Sequence, residues 1–139
     1  MKRFRSQTGA ALLEAAITMP IILLISVGIF EFGRAYQTWQ VLTNAAREGA
    51  RLACIQGTTD ADIRTRVNTY LTGGGLTTLP DANIAVNRAV ALGSSTGSQV
   101  QVNYPFSFMV LNPVVRLIAP NSTTGSPITM QAQSLMRNE

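Results

Sequence analysis

The chain has 139 residues, 46% hydrophobic and 13% charged, with no histidine and one cysteine. That inventory excludes a Ser-His-Asp triad, a Cys-His pair, the usual zinc ligand sets and an internal disulfide. The formal net charge is +4, yet Lys2, Arg3 and Arg5 sit at the very start, and the other eight basic residues are scattered against seven acidic ones without flanking stacking aromatics, so a nucleic-acid partner is not expected.

From Ala10 to Phe30 the one ionisable side chain is Glu14. As a helix rising roughly 1.5 Å per residue, those 21 positions extend about 31 Å, enough to cross the hydrocarbon core of a bilayer. Starting after the acid leaves 16 residues, about 24 Å, which falls short, so Glu14 is expected at or within the apolar boundary. A carboxylate there is costly and points to function. The run is longer than the roughly 7 to 15 apolar residues of a cleaved secretory signal and ends in Phe30-Glu31-Phe32 rather than a small-x-small site. Basic residues ahead of the span favour an N-in orientation, which predicts an inner-membrane, single-pass protein with residues after about Phe30 on the periplasmic side.

A cut between Gly9 and Ala10 would leave an α-ammonium at Ala10 one helical turn from the Glu14 carboxylate, and staggered neighbours could pair amine with acid. Residues 9–53, with Gly9-Ala10-Ala11-Leu12-Leu13-Glu14, Pro20, Glu31-Phe32-Gly33-Arg34 and Ala45-Ala46-Arg47-Glu48-Gly49-Ala50-Arg51, resemble the TadE-like proteins of tight-adherence (Flp) type IV pilus systems. The resemblance implies processing by a prepilin peptidase at Gly9/Ala10 and subunit docking through Glu14 and Ala10. It further implies partners among other pilin-like subunits, the pilus assembly platform and membrane lipid, with possible incorporation in an extracellular pilus. Ala15 stands where Flp-type pilins usually carry an aromatic, and the chain is longer than fibre-forming Flp pilins, which points to a minor pilin or pseudopilin. An uncleaved single-pass anchor, whose exported domain recruits pilus or secretion machinery, remains as the alternative.

Pro20 removes a backbone donor in mid-span, so a kink or local melting is expected, with the Thr18 hydroxyl available to the freed carbonyl. This is either a functional bend or a tolerated defect. The helix is expected to continue to about residue 56. Trp39, Leu42, Ala46, Ala50 and Ala53 would form its core stripe, while Tyr36 and Trp39 could instead mark the membrane interface. Trp39, Arg47 and Arg51 form a candidate interaction face, and Glu31 and Arg34 are expected to form a helix-surface ion pair.

Beyond Gln56 a small exported domain is expected. Asp60 or Thr59 caps a second helix to about Thr72, with Ile63, Val67, Tyr70 and Leu71 inward, and helix capping accounts for Asp60 and Asp62 more simply than acid-base or calcium chemistry does. Period-two alternation predicts strands through Ile84–Val90, Val100–Phe108 and Ile128–Met136, joined by polar loops at Gly93–Ser98 and Ala119–Pro127. Leu111–Ile118 reads as a short helix or a fourth strand. Pro105 argues for an edge or a bulge. Cys54 reads as a small apolar residue near a helix end, with an intermolecular cross-link as the other possibility, and the Asn121-Ser122-Thr123 sequon carries little weight.

The expected organisation is a leader over 1–9, a transmembrane and pilin-like helix over 10–56, and an exported domain over 57–139. The expected fold class is α+β, with the long helix packed on a small antiparallel sheet and a second short helix. No enzymatic activity, metal or cofactor is expected.

Overall fold

The computed structural model describes the backbone of residues 4–113 and 127–138 and the side chains of 9–113 and 127–138. Most of the expected 119–127 loop, the sequon and residues 114–118 lie outside the described residues; residues 111–113 have helical backbone. The order is a helix α1 (Phe4–Ala53), a helix α2 (Asp60–Gly73), a 3-10 turn (Asp81–Asn83), and strands β1 (Ile84–Leu92), β2 (Ser95–Phe106) and β3 (Ile128–Arg137). The fold class is α+β, as expected. Two compact units form: residues 1–34 with 108–125, and residues 35–107 with 126–139.

In the second unit the core is assembled from three sources. α1 contributes Leu42, Ala45, Ala46, Ala50 and Ala53; α2 contributes Ile63, Val67 and Leu71; the sheet contributes Ile84, Val100, Val102 and Ala132. Small residues on α1 allow its backbone to come close. A methyl added at Gly49 would lie 2.7 Å from Val67 Cγ2 and 3.1 Å from Val100 Cγ1, so this glycine is wedged between α2 and β2. Trp39 departs from the expected stripe and is 47% exposed. The buried positions of this part of α1 are Thr38, Leu42, Ala45, Ala46, Gly49, Ala50 and Ala53, and Trp39 is not among them.

α2 begins with a reciprocal cap: the Asp62 amide donates to Thr59 Oγ1 at 3.2 Å, and the Thr59 amide donates to Asp62 Oδ2 at 2.9 Å. The Thr59 hydroxyl, which donates to Asp62 Oδ2 at 2.7 Å, and after it the Thr59 amide hold the Asp62 carboxyl below its usual range. Asp60 does not cap; it takes the Arg88 guanidinium instead. Ile63, Val67 and Leu71 are buried as expected, whereas Tyr70 is 41% exposed, one position round from Leu71.

The sheet is an antiparallel meander in the order β1-β2-β3. Its inner face carries the alternating apolar residues; its outer face carries Gln99, Gln101 and Asn103 opposite Leu135, Gln133 and Gln131. The expected loop over Gly93–Ser98 contracts to Gly93 and Ser94, with Leu92 paired to Ser95. Gly93 has φ 62°, the left-handed value that a two-residue hairpin turn requires at its first position.

Pro105 occupies the central strand, yet β1 pairing stops at Ile84↔Val102. Asn103 turns its carbonyl toward the β1 side, where Asn83 Nδ2 donates to it at 3.1 Å. Pro105, two residues on, turns its donorless nitrogen the same way, past the end of β1, so β2 is one-sided where the proline sits. The bulge lies in β1, where Arg88 and Ala89 interrupt the register between Asn87 and Val90.

Candidate functional site

The residues singled out around the leader all lie on α1. The helix runs through the Gly9–Ala10 peptide without a break, and the space round Gly9 is open. Ala10 and Glu14 are exposed, four residues and so about 6 Å of rise apart. Around them the helix shows apolar side chains on every side: Leu12, Leu13, Ile17, Met19, Ile21 to Ile25 at the large positions, Ile29 and Phe30 are each more than half exposed. By length and composition this helix can cross a membrane. A helix apolar all round and so exposed among the described residues is suited to lipid or to other apolar helices.

Pro20 sits inside α1, and the helix continues through it, so the expected local melting does not occur. The carbonyl deprived of its donor is that of Ala16, four residues back. Thr18 does not serve it: its hydroxyl donates to the Glu14 carbonyl at 2.9 Å, with a longer contact to Ala15 at 3.5 Å. Ser26 likewise bonds Ile22 O at 2.9 Å, the inward-turned hydroxyl habit that lets polar residues lie in apolar helices. Leu12, Ala15, Ala16, Met19, Pro20 and Leu23 line a shallow apolar notch on one face.

The expected interaction face is drawn from the second unit. Trp39 and Tyr36 are exposed, with ring centroids 6.3 Å apart and planes at 36°. Arg47 is exposed. Arg51 is engaged on its own helix, donating from Nε and Nη2 to the two oxygens of Glu48 at 3.0 and 2.8 Å. From α2, Arg66 adds bonds to Glu48 Oε1 at 3.1 and 2.8 Å. The Arg51 bonds, followed by those of Arg66, lower the Glu48 carboxyl from 4.5 to about 2. Glu48 therefore joins α1 to α2 as the centre of a charged cluster, and Arg51 remains 57% exposed within it.

Sequence reasoning missed two polar centres. Glu31 was expected on the surface with Arg34, but its side chain is fully buried, and Arg34 Nε stands 3.8 Å from it. Its Oε1 accepts the Val110 amide at 2.5 Å, across 79 positions of sequence. The available signal was position: Glu31 falls in the same three- and four-residue series, through Ala35 and Thr38, as the buried Leu42. Arg88 was read as one of an alternating set. In the structure it reaches from the bulge to Thr58 O at 2.6 Å, Asp60 Oδ1 at 2.9 Å and Ala53 O at 3.5 Å, placing a cation at the carboxyl end of α1. Ser98 and Asn138 complete this knot, with Ser98 Oγ 2.8 Å from Asn138 Oδ1. Cys54 lies just past α1 and is half-buried, beside Arg51, Ile55, Met136 and Arg137.

No curated protein and no solved structure matches the chain. Residues 9–51, which comprise 43 of the 139 positions and include Gly9, Ala10, Glu14, Pro20, Trp39, Arg47 and Arg51, match the family of TadE-like proteins, and over this helix the chain is similar to that family.

Proposed function

We propose that this protein is a minor pilin or pseudopilin-like structural subunit for the assembly of a tight-adherence type IV pilus. The observation that carries this reading is the TadE-like match over residues 9–51, which coincides with an exposed apolar helix holding Glu14 as its one acid between Ala10 and Phe30. The helix spans the inner membrane with its N-terminus cytoplasmic, and the domain after it is periplasmic. A prepilin peptidase cuts between Gly9 and Ala10. Substrate backbone must leave the helix to enter a protease, and a glycine at the cut lowers the cost of that opening by about 1 kcal/mol relative to alanine.

After the cut, the Ala10 ammonium of one subunit meets the Glu14 carboxylate of the next, within the apolar layer where an unpaired charge is costly. Other pilin-like subunits, the membrane assembly platform and lipid are the partners. The role is structural rather than catalytic. A second reading is favoured by the continuity of α1 from Phe4 through Gly9: an uncleaved anchor whose exported domain recruits pilus or secretion machinery. Intact mass or terminal sequencing of the protein from its native membranes separates the two. An N-terminus at Ala10 is expected; a retained Met1 leader selects the anchor.

A further inference from the structure

The first unit contains an apolar segment that the core does not use. After β2 the chain reads Ser107-Phe108-Met109-Val110-Leu111, and among the described residues none of these belongs to the buried core. Met109 is 60% and Val110 37% exposed. A contiguous exposed apolar patch, unlike a single exposed aliphatic residue, marks an interaction surface. The Val110 amide fastens this loop to α1 by donating to Glu31, whose side chain is fully buried. Glu31 is the residue directly after the apolar stretch that ends at Phe30, and its neighbours Phe30 and Phe32 are 57% and 69% exposed. Glu31 thus sets Met109 and Val110 at the level of α1 where a span beginning at Ala10 would leave the hydrocarbon, about 31 Å along its axis.

We infer that residues 108–111 form a membrane-contacting loop, a second site of attachment that docks on the lipid surface beside α1 and is positioned by Glu31. The occupant is the bilayer boundary. The exposed apolar surface of Met109 and Val110 extends that of Phe30, Phe32 and the span. Glu31 is a positioning residue: its buried acceptor replaces the water that the Val110 amide would lose on entering an apolar boundary. The inference rests on the reading that Ala10–Phe30 cross the membrane, and the test keeps the two apart.

The full chain, with Cys54→Ala and one new cysteine at Met109→Cys or Ile22→Cys, is labelled with an environment-sensitive dye in phosphatidylcholine/phosphatidylglycerol vesicles. Quenching by lipid nitroxides is compared with quenching by aqueous iodide. Expected are strong nitroxide quenching at 22, and at 109 quenching by shallow nitroxides with loss of iodide access. A label at 109 that iodide reaches and nitroxides do not overturns the loop while leaving the span intact. A label at 109 shielded from both assigns the loop to a protein contact and also overturns it. No lipid quenching at 22 overturns the span and the loop together. Glu31→Ala is expected to abolish lipid quenching at 109 without changing that at 22, and Glu31→Gln, which keeps an acceptor oxygen, to retain it; wild-type quenching at 109 in Glu31→Ala removes Glu31 from its positioning role.

Discussion

Glu48 shows how one carboxylate couples two helices and makes stability depend on acid. Its carboxyl is lowered from 4.5 to about 2, first by Arg51 and then by Arg66. A depressed folded value means the carboxylate is favoured in the folded state, so the contribution is complete above about pH 4.5 and is lost as pH falls toward about 2. Both arginines are more than half exposed, 57% and 51%, so solvent screening limits the gain to about 1 kcal/mol. Denaturant unfolding of the full chain in detergent, followed from pH 6 to pH 2, should reveal a loss over that window, and Glu48→Gln should be less stable at pH 6 and lack this part of the acid dependence. Gly49 offers the steric counterpart. Alanine gains about 1 kcal/mol of helix propensity over glycine, yet the new methyl would press on Val67 and Val100, β-branched side chains with little rotamer freedom, at a cost of about 1–3 kcal/mol. Gly49→Ala should therefore lower the unfolding midpoint, while Gly73→Ala, whose added methyl meets nothing within 4 Å, should leave it unchanged or raise it. A rise for Gly49→Ala would mean that α1 can move away from α2 and β2.

At the scale of elements, what could be read in the sequence followed local rules. The Thr59–Asp62 cap needs only residues three apart, and the apolar run, the α2 face and the strand alternation are periodicities within a single segment. What escaped was decided by distant partners. Trp39 matches a three- and four-residue stripe on paper, but the stripe's centre is set by which positions α2 and the sheet cover. The Gly93–Ser98 stretch is polar enough for a loop, yet Thr96, Gly97 and Ser98 find partners in β1 and β3, and pairing makes them strand. Pro105 was read correctly as a residue needing an unpaired side; that β1 ends opposite Val102 could not be known from β2. Glu31 and Arg88 look like ordinary surface charges until residues 79 and 30 positions away come to them.

For the whole molecule, the resemblance and the physical reading agree over α1 and both thin out beyond it, since the match ends at Arg51. The assembly reading makes its sharpest demand on Glu14. Glu14→Ala removes a charge from an apolar stretch and so should insert into membrane at least as well as wild type, yet be absent from purified pili, or reduced in them by tenfold or more, on immunoblot; a tenfold loss corresponds to about 1.4 kcal/mol in a docking equilibrium. Normal incorporation of that variant would sink the amine-acid pairing. A different consequence follows from the unbroken course of α1. α1, which is long and apolar enough to cross a membrane, runs unbroken from Phe4 to Ala53 and supplies Leu42, Ala45, Ala46, Ala50 and Ala53 to the core. The same continuity means that the domain has no independent existence: a fragment beginning after Gln56 would lack one wall of its interior.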